Sequence, residues 1–249
     1  MSVHIVIPAR FGSMRLPGKP LADVAGKAMI VRVLERASQA ACDSCVAAVD
    51  NTDVKDVVEQ AGFAAVMTNE AHLSGSDRVM EVAALMGWDE QDIVVNVQGD
   101  EPLIPPVVID DVIQAITENT VGIATVCEPI EDNKIFADPN AVKVVIANSG
   151  CALYFSRAGI PYPRESGDVQ NAYRHIGIYA FRVAALRRIT SLALGTLESI
   201  EKLEQLRWLE AGENIQVIKA RQSVPGGVDT AEDLAAVVRH FSEQTSLSD

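Results

Sequence analysis

Apolar residues along this chain come in short runs that alternate with stretches of helical period. Residues 3–8 form an apolar run that opens into a polar, glycine-containing stretch at 9–19. Met29, Val33, Ala37 and Ala40 then recur at helical spacing, which predicts an amphipathic helix over 28–41. Residues 45–49 read as a buried strand, 53–61 as helix, 64–67 as strand, 76–86 as helix and 92–97 as a further clear strand. Apolar strands separated by amphipathic helices predict a parallel sheet covered on both faces, an α/β architecture.

Past residue 100 the pattern loosens. A helix is expected at 107–118, strands at 121–127 and 141–146, and further strands at 152–155 and 175–181 on either side of a polar loop at 161–172. A strong helical pattern at 201–211, a strand at 215–220 and a terminal helix at 230–243 complete the reading. Neither internal repeats nor an obvious linker interrupt it. The expectation is one domain over 1–249, with a mixed-sheet lobe embedded at roughly 121–212.

Composition narrows what such a sheet can do. The 249 residues are 48% hydrophobic, enough for a sizeable core. No apolar run approaches the roughly 18 residues that span a bilayer. Arg10 follows the first run too soon for a signal peptide, so a soluble, cytoplasmic protein without a membrane partner is expected. A net charge of −13 argues against nucleic acid, whose binding depends on Lys and Arg meeting phosphates. Residues 1–36 nevertheless hold six basic groups against Asp23 and Glu35, a balance of +4, so the rest of the chain carries −17. A small basic island in an acidic protein suits a compact anionic ligand. Cys42 and Cys45 spell a CxxC pair, but no second pair or paired His completes a metal set, so the spacing is read as accidental.

In an open parallel sheet, ligands gather at the carboxyl ends of the strands. That rim would collect 8–19, the Asp50 region, 68–78 and 98–102. The first segment places Arg10, Arg15 and Lys19 in a loop after a buried strand, an arrangement that can hold a triphosphate. It is not a Walker A loop, because five residues separate Gly12 from Gly18 and Pro20 stands where Ser or Thr would meet magnesium. Asp100 and Glu101, at the end of a buried strand, can hold Mg²⁺, although acids there also serve as turn formers. Around Gly226 to Leu234, Asp229 or Thr230 can equally cap the last helix.

Taken together, these segments resemble the 3-deoxy-manno-octulosonate cytidylyltransferases. The resemblance rests on IPARFGSMRLPGKPL (7–21), HLSGSDR (72–78), VNVQGDEPLIPP (95–106), NAVKVV (140–145), ALYFSRAGIPYPR (152–164), RHIGIY (174–179), LEQLR (203–207) and GVDTAEDL (227–234), in that order. It implies a Rossmann-like nucleotidyltransferase fold, commonly a homodimer. The implied reaction transfers CMP from CTP to the anomeric hydroxyl of an eight-carbon acidic sugar and supplies lipopolysaccharide biosynthesis. Carried onto this chain, Ala9, Arg10, Arg15 and Lys19 would bind CTP, with Ser74, Gly75 and Arg78 by the nucleoside and Gln98 on its ribose or base edge. Asp100 and Asp229 would hold Mg²⁺ and, with Lys19, carry catalysis. Arg157, Arg164, His175, Tyr179, Glu204 and Gln205 would line the sugar pocket, where His175 is read as a sugar-hydroxyl contact in preference to a general base.

The chain departs from the family pattern at several points. Met14 replaces a usual Ser or Thr, and Val49-Asp50-Asn51 a usual Thr-Asp-Asp, so Asp50 is given no catalytic role. The loop between Arg164 and Arg174 is shorter than in many members, which leaves the 8-amino form of the sugar as an alternative substrate. A non-catalytic nucleotide-binding relative and a sialic acid cytidylyltransferase are the other readings. Retention of Lys19, Asp100 and Asp229 speaks against the first, and Lys19-Pro20, where a sialic acid enzyme typically reads Lys-Asn, against the second.

Overall fold

The computed structural model describes residues 1–12, 16–72, 74–165 and 171–246. Strand β1 (Val3–Ala9) leads through a 3-10 turn (Lys19–Leu21) to the small hairpin β2 (Asp23–Val24) and β3 (Lys27–Ala28) and then to α1 (Met29–Ala37). Three strand–helix repeats follow: β4 (Ser44–Val49) and α2 (Thr52–Gln60), β5 (Ala64–Met67) and α3 (Gly75–Met86), β6 (Ile93–Asn96) and α4 (Pro106–Glu118). The second half contains β7 (Ile123–Pro129), α5 (Asn133–Ala137), β8 (Lys143–Ile146), β9 (Ala152–Ser156) and β10 (Tyr173–Arg182). It ends with α6 (Val183–Thr190), α7 (Thr196–Glu201), α8 (Gln205–Glu210), β11 (Ile215–Lys219) and α9 (Ala231–Ser246).

Among the described residues the main sheet runs β11-β7-β10-β6-β1-β4-β5, with β8 and β9 branching from β10. β1 pairs in parallel with both β4 and β6, and β11 with β7, whereas β10 runs antiparallel between β6 and β7. The expected mostly parallel sheet and mixed lobe are both present. Alternation along β1 explains the layering: Ile5 and Ile7 face a core completed by Ile30 and Leu34 of α1 and Ile109 of α4. Val6 points the other way, onto Val79 and Val82 of α3 and Leu186 of α6. A smaller cluster of Val24, Met29, Val228 and Val237 fastens α9 to the β2–β3 hairpin. No helix among the described residues is long and apolar enough to cross a membrane.

Helical elements departed most from expectation. The helix expected at 201–211 is shorter, α8 alone: Glu201 ends α7, and Lys202 adopts a left-handed conformation (φ 54°) that no continuous helix tolerates. Helices α5 and α6 were not anticipated; both are short, five and eight residues, below the length at which periodicity is distinctive.

The rim is drawn tight by a glycine. A Cβ on Gly99 would lie 2.6 Å from the carbonyl oxygen of Pro8, so only glycine lets the loop after β6 cross the end of β1. Gly99→Ala is expected to cost about 1–3 kcal/mol through forced backbone movement, read as a lowered midpoint in chemical denaturation.

Candidate active site

Two cavities open along the rim and share Gln98. The smaller, about 280 Å³, is lined by Pro8, Ala9, Arg10, Gly12, Lys19, Gly99, Asp100 and Asp229. Its centre is an ammonium between two carboxylates: Lys19 Nζ lies 2.6 Å from Asp100 Oδ2 and 3.2 Å from Asp229 Oδ1. Three separate stretches of chain meet there. The amide of Val228 donates to the carbonyl of Asp100 (2.8 Å), which ties the third stretch to the second.

The sequence left open whether Asp229 caps α9. Thr230 does so instead: its hydroxyl accepts from the Asp233 amide (3.2 Å) while Asp233 Oδ2 accepts from the Thr230 amide (2.8 Å). The carboxylate of Asp229 is therefore available to Lys19. Of the acids at 100 and 101, only Asp100 lines this cavity. Glu101 has a fully buried Oε2 without a hydrogen-bond partner. Burial first, then the nearby Asp100 charge, push its carboxyl up to about 8 against the opposing pull of Arg174.

Two partly exposed carboxylates that converge on an open cavity suit Mg²⁺, which takes one or two protein carboxylates and completes its shell with water and substrate phosphate. Among the described residues no cluster of three or more His, Cys, Asp or Glu forms a metal cage. The donor set thus fits a hard ion held jointly with substrate.

The larger cavity, about 630 Å³, brings Ser74, Gly75 and Gln98 together with His175, Tyr179, Glu204 and Gln205. Ser74 begins α3, its Oγ accepting from the Asp77 amide (3.1 Å). Gln98 Nε2 donates to the Gly177 carbonyl (3.0 Å), so its side chain bridges β6 and β10. His175 is half-buried, and desolvation, with Arg174 adding to it, lowers its pKa to about 3. The hydroxyl of Thr125 donates to the Ile178 carbonyl (2.7 Å) and so accepts from His175 Nε2 (2.9 Å), which assigns the proton to Nε2 and leaves Nδ1 an acceptor. Such a neutral imidazole is a poor base and a good hydrogen-bond partner. Burial, and then Glu204, hold the Tyr179 phenol well above its usual pKa, so it remains a donor. Its buried oxygen finds no hydrogen bond of good geometry in the protein, with Thr125 nearby. The Glu204 carboxyl is shifted upward by burial, moderated by Ser74, Arg207 and Ser76.

Three of the expected residues stand behind or beside these walls. The buried guanidinium of Arg78 binds Thr68 Oγ1 and Asp50 Oδ2 (3.0 Å), and Asp50 Oδ1 accepts from the amide of Phe11 (2.9 Å). Arg78 thereby steadies the loop after β1 through Asp50. Arg157 spends its donors on the carbonyls of Glu201 (2.6 Å) and Pro139 (3.0 Å). Arg164 is exposed outside both cavities, and Arg15 lies outside the described residues. The sequence reading missed Asn96, Arg174 and Lys202, which line the larger cavity. Asn96 is 3% exposed with an unpaired Oδ1; a polar residue ending the apolar strand Ile93–Asn96 was its available signal.

A family model described as Cytidylyltransferase matches residues 4–215. The 3-deoxy-manno-octulosonate cytidylyltransferase of Cellvibrio japonicus (strain Ueda107) is 51% identical over 95% of this chain and 97% of that protein. The enzyme of the same name from Francisella tularensis subsp. novicida (strain U112) is 45% identical over 97% and 99%. A solved CMP:2-keto-3-deoxy-manno-octonic acid synthetase complexed with CTP superposes with a TM-score of 0.91 at 40% identity, covering 98% of this chain and 100% of that one. A cytidylyltransferase from Leptospira borgpetersenii serovar Hardjo-bovis (strain JB197) shares the fold alone, at a TM-score of 0.62 and 17% identity.

Two outcomes follow from this geometry. Asp50→Ala leaves Arg78 buried and unpaired, and is expected to lose about 3–5 kcal/mol in denaturant titration and to raise the KM for nucleotide through the Phe11 loop. Unfolded histidine takes up a proton near 6.5, whereas folded His175 does so only near 3. Stability therefore falls as pH drops from 6.5 towards 3, and His175→Asn is expected to flatten that limb of the stability profile.

Proposed function

This chain belongs to the 3-deoxy-manno-octulosonate cytidylyltransferase family of nucleotidyltransferases, and from that premise we propose how its two cavities divide the reaction. The enzyme transfers CMP from CTP to the anomeric hydroxyl of 3-deoxy-manno-octulosonate, giving the CMP-sugar and pyrophosphate for lipopolysaccharide biosynthesis. The observation that carries the division is the shared wall at Gln98, which joins a charged cavity to a hydroxyl-binding one.

Lys19 and Arg10 face the smaller cavity, where cations offset the charge that builds on departing pyrophosphate. Asp100 and Asp229 would hold Mg²⁺, which when bound neutralises phosphate charge and lowers the pKa of a coordinated hydroxyl. Ala9 belongs to the same nucleotide site, to which the family resemblance adds Arg15, and Ser74, Gly75 and Gln98 border the nucleoside. Arg78 acts by positioning, through Asp50 and Phe11.

The sugar shares the larger cavity with the nucleoside, which lies at its Ser74 and Gly75 edge. His175 Nδ1 accepts from a sugar hydroxyl, while the Tyr179 O–H donates, giving its buried oxygen the partner the protein withholds. Glu204 and Gln205 close the wall, and Arg157 braces it through the Glu201 and Pro139 carbonyls. Lys202 supplies positive charge towards the sugar carboxylate, with Arg164 at the approach, whereas the guanidinium of Arg174 is held by Glu128 (2.7 Å) and the Val224 carbonyl (2.7 Å). Holding hydroxyl and α-phosphorus together supplies much of the rate, because the chemistry is one of alignment and charge.

The chain works as one domain with an embedded lobe, in the cytoplasm. It acts as a homodimer, and the exposed Leu153, Leu194 and Ile200 of the lobe are apolar surface for the partner copy. A pyrophosphate-release assay with CTP, Mg²⁺ and three acceptors (the octulosonate, its 8-amino analogue and a sialic acid) tests the reading. Turnover is expected with the octulosonate and CTP; no turnover with any acceptor would overturn the enzyme, and equal turnover with UTP the cytosine preference. Asp100→Ala and chelation of divalent ions should each reduce the rate by at least about a thousandfold, with Asp100→Ala still folded as shown by a cooperative thermal melt. A near-normal rate would remove Asp100 from the metal site.

A further inference from the structure

Lys143 stands in β8 with its side chain closed off from solvent (0% exposed), and it lines neither substrate cavity. Lysine is almost never fully buried without partners. Here the ammonium donates to two backbone carbonyls, those of Asp138 (2.8 Å) and Arg157 (2.7 Å). Burial works against its charge, Asp138 and Glu201 favour it, and Arg157 opposes it. A methionine of similar length would fill the same space without that desolvation cost. What the ammonium adds is a tie between two stretches of chain.

The tie runs along one wall of the larger cavity. Asn140, Ala141 and Val142, between the two residues Asp138 and Lys143, belong to its lining. Arg157 returns the tie from the other side, its Nη1 donating to the Pro139 carbonyl (3.0 Å). The Val142 carbonyl accepts from the amide of His175 (2.8 Å), so the same loop holds the strand that carries the imidazole. The loop has bonds of its own, from the Asn140 amide to Asp138 Oδ1 (2.8 Å) and from the Ala141 amide to the Asp138 carbonyl (3.2 Å). Those fold it on itself, whereas Lys143 and Arg157 join it to the end of β9.

We propose that Lys143 is a positioning residue for the acceptor sugar. Its ammonium fixes the wall at 139–142 against Arg157 and, through Val142, sets the place of His175. The role rests on the sugar occupying this side of the larger cavity, opposite the nucleoside edge at Ser74 and Gly75; the tie itself does not.

Steady-state kinetics and amide hydrogen exchange on the full chain test this with Lys143→Met. The KM for the octulosonate should rise about tenfold, while the KM for CTP stays within about twofold. Exchange at the amides of Ala141 and His175 should quicken about tenfold, with amides of β1 and β4 within about twofold of the parent. An unchanged KM for the sugar, an equal rise for both substrates, or exchange quickened evenly across the sheet would overturn the role. Thermal melts by circular dichroism establish that the variant folds. Lys143→Gln, which keeps a donor without the charge, decides if Lys143→Met does not melt cooperatively. Failure of both to fold overturns the proposal, because the ammonium would then serve the fold and not the cavity. Absence of turnover in the parent would fail the proposed reaction, and with it the sugar role, while exchange still reads the tie.

Discussion

Two carboxylates that repel one another, Asp100 and Asp229, stand together at the sheet's edge because the Lys19 ammonium lies within hydrogen-bonding distance of both. The loop after β1, the turn after β6 and the lead into α9 all depend on that contact for their relative placement. Each arrives with a local reason of its own. Gly99 lets the second stretch cross Pro8, Val228 bonds the third to the Asp100 carbonyl, and the Thr230–Asp233 cap spares the Asp229 side chain. A lysine between paired acids also offsets half of their charge.

The larger cavity follows the opposite logic. Asn96 Oδ1 and the Tyr179 hydroxyl are buried without good partners, a state that folded proteins rarely keep. The surrounding sheet and its aromatic packing bear that cost, with Tyr179 set edge-on to Trp208 at 5.1 Å. Polar groups held dry and aimed in advance are worth more to a bound hydroxylated substrate than mobile ones would be. Burial also removes His175 from the protonation range of ordinary histidine, converting a candidate base into an acceptor of fixed tautomer.

The sequence was most legible where chemistry and chain order coincide. The near-continuous apolar runs of β1, β4 and β6, separated by helical stretches, exposed the parallel sheet, and the basic and acidic residues that follow those strands marked the rim. Lys19, Asp100 and Asp229 were legible as candidates because their motifs flank buried strands or open a helix. Helices α5 and α6 were not, being too short to show a period, and the break at Lys202 was hidden in an apolar pattern that ran on past it.

Residue type and spacing by themselves determined the α/β class and the family through its ordered motifs. Only the tertiary structure decided which charged groups face a cavity. Arg78 and Arg157 look the same on paper as Arg10, yet their guanidiniums are satisfied by Asp50 and by backbone carbonyls, while Arg10 lines the smaller cavity. Likewise Asp100 turns outward and Glu101 carries a buried oxygen, although they are neighbours. The physical reason is that a charge's role depends on what desolvates and pairs it, and those partners come from β strands and helices far away in the chain.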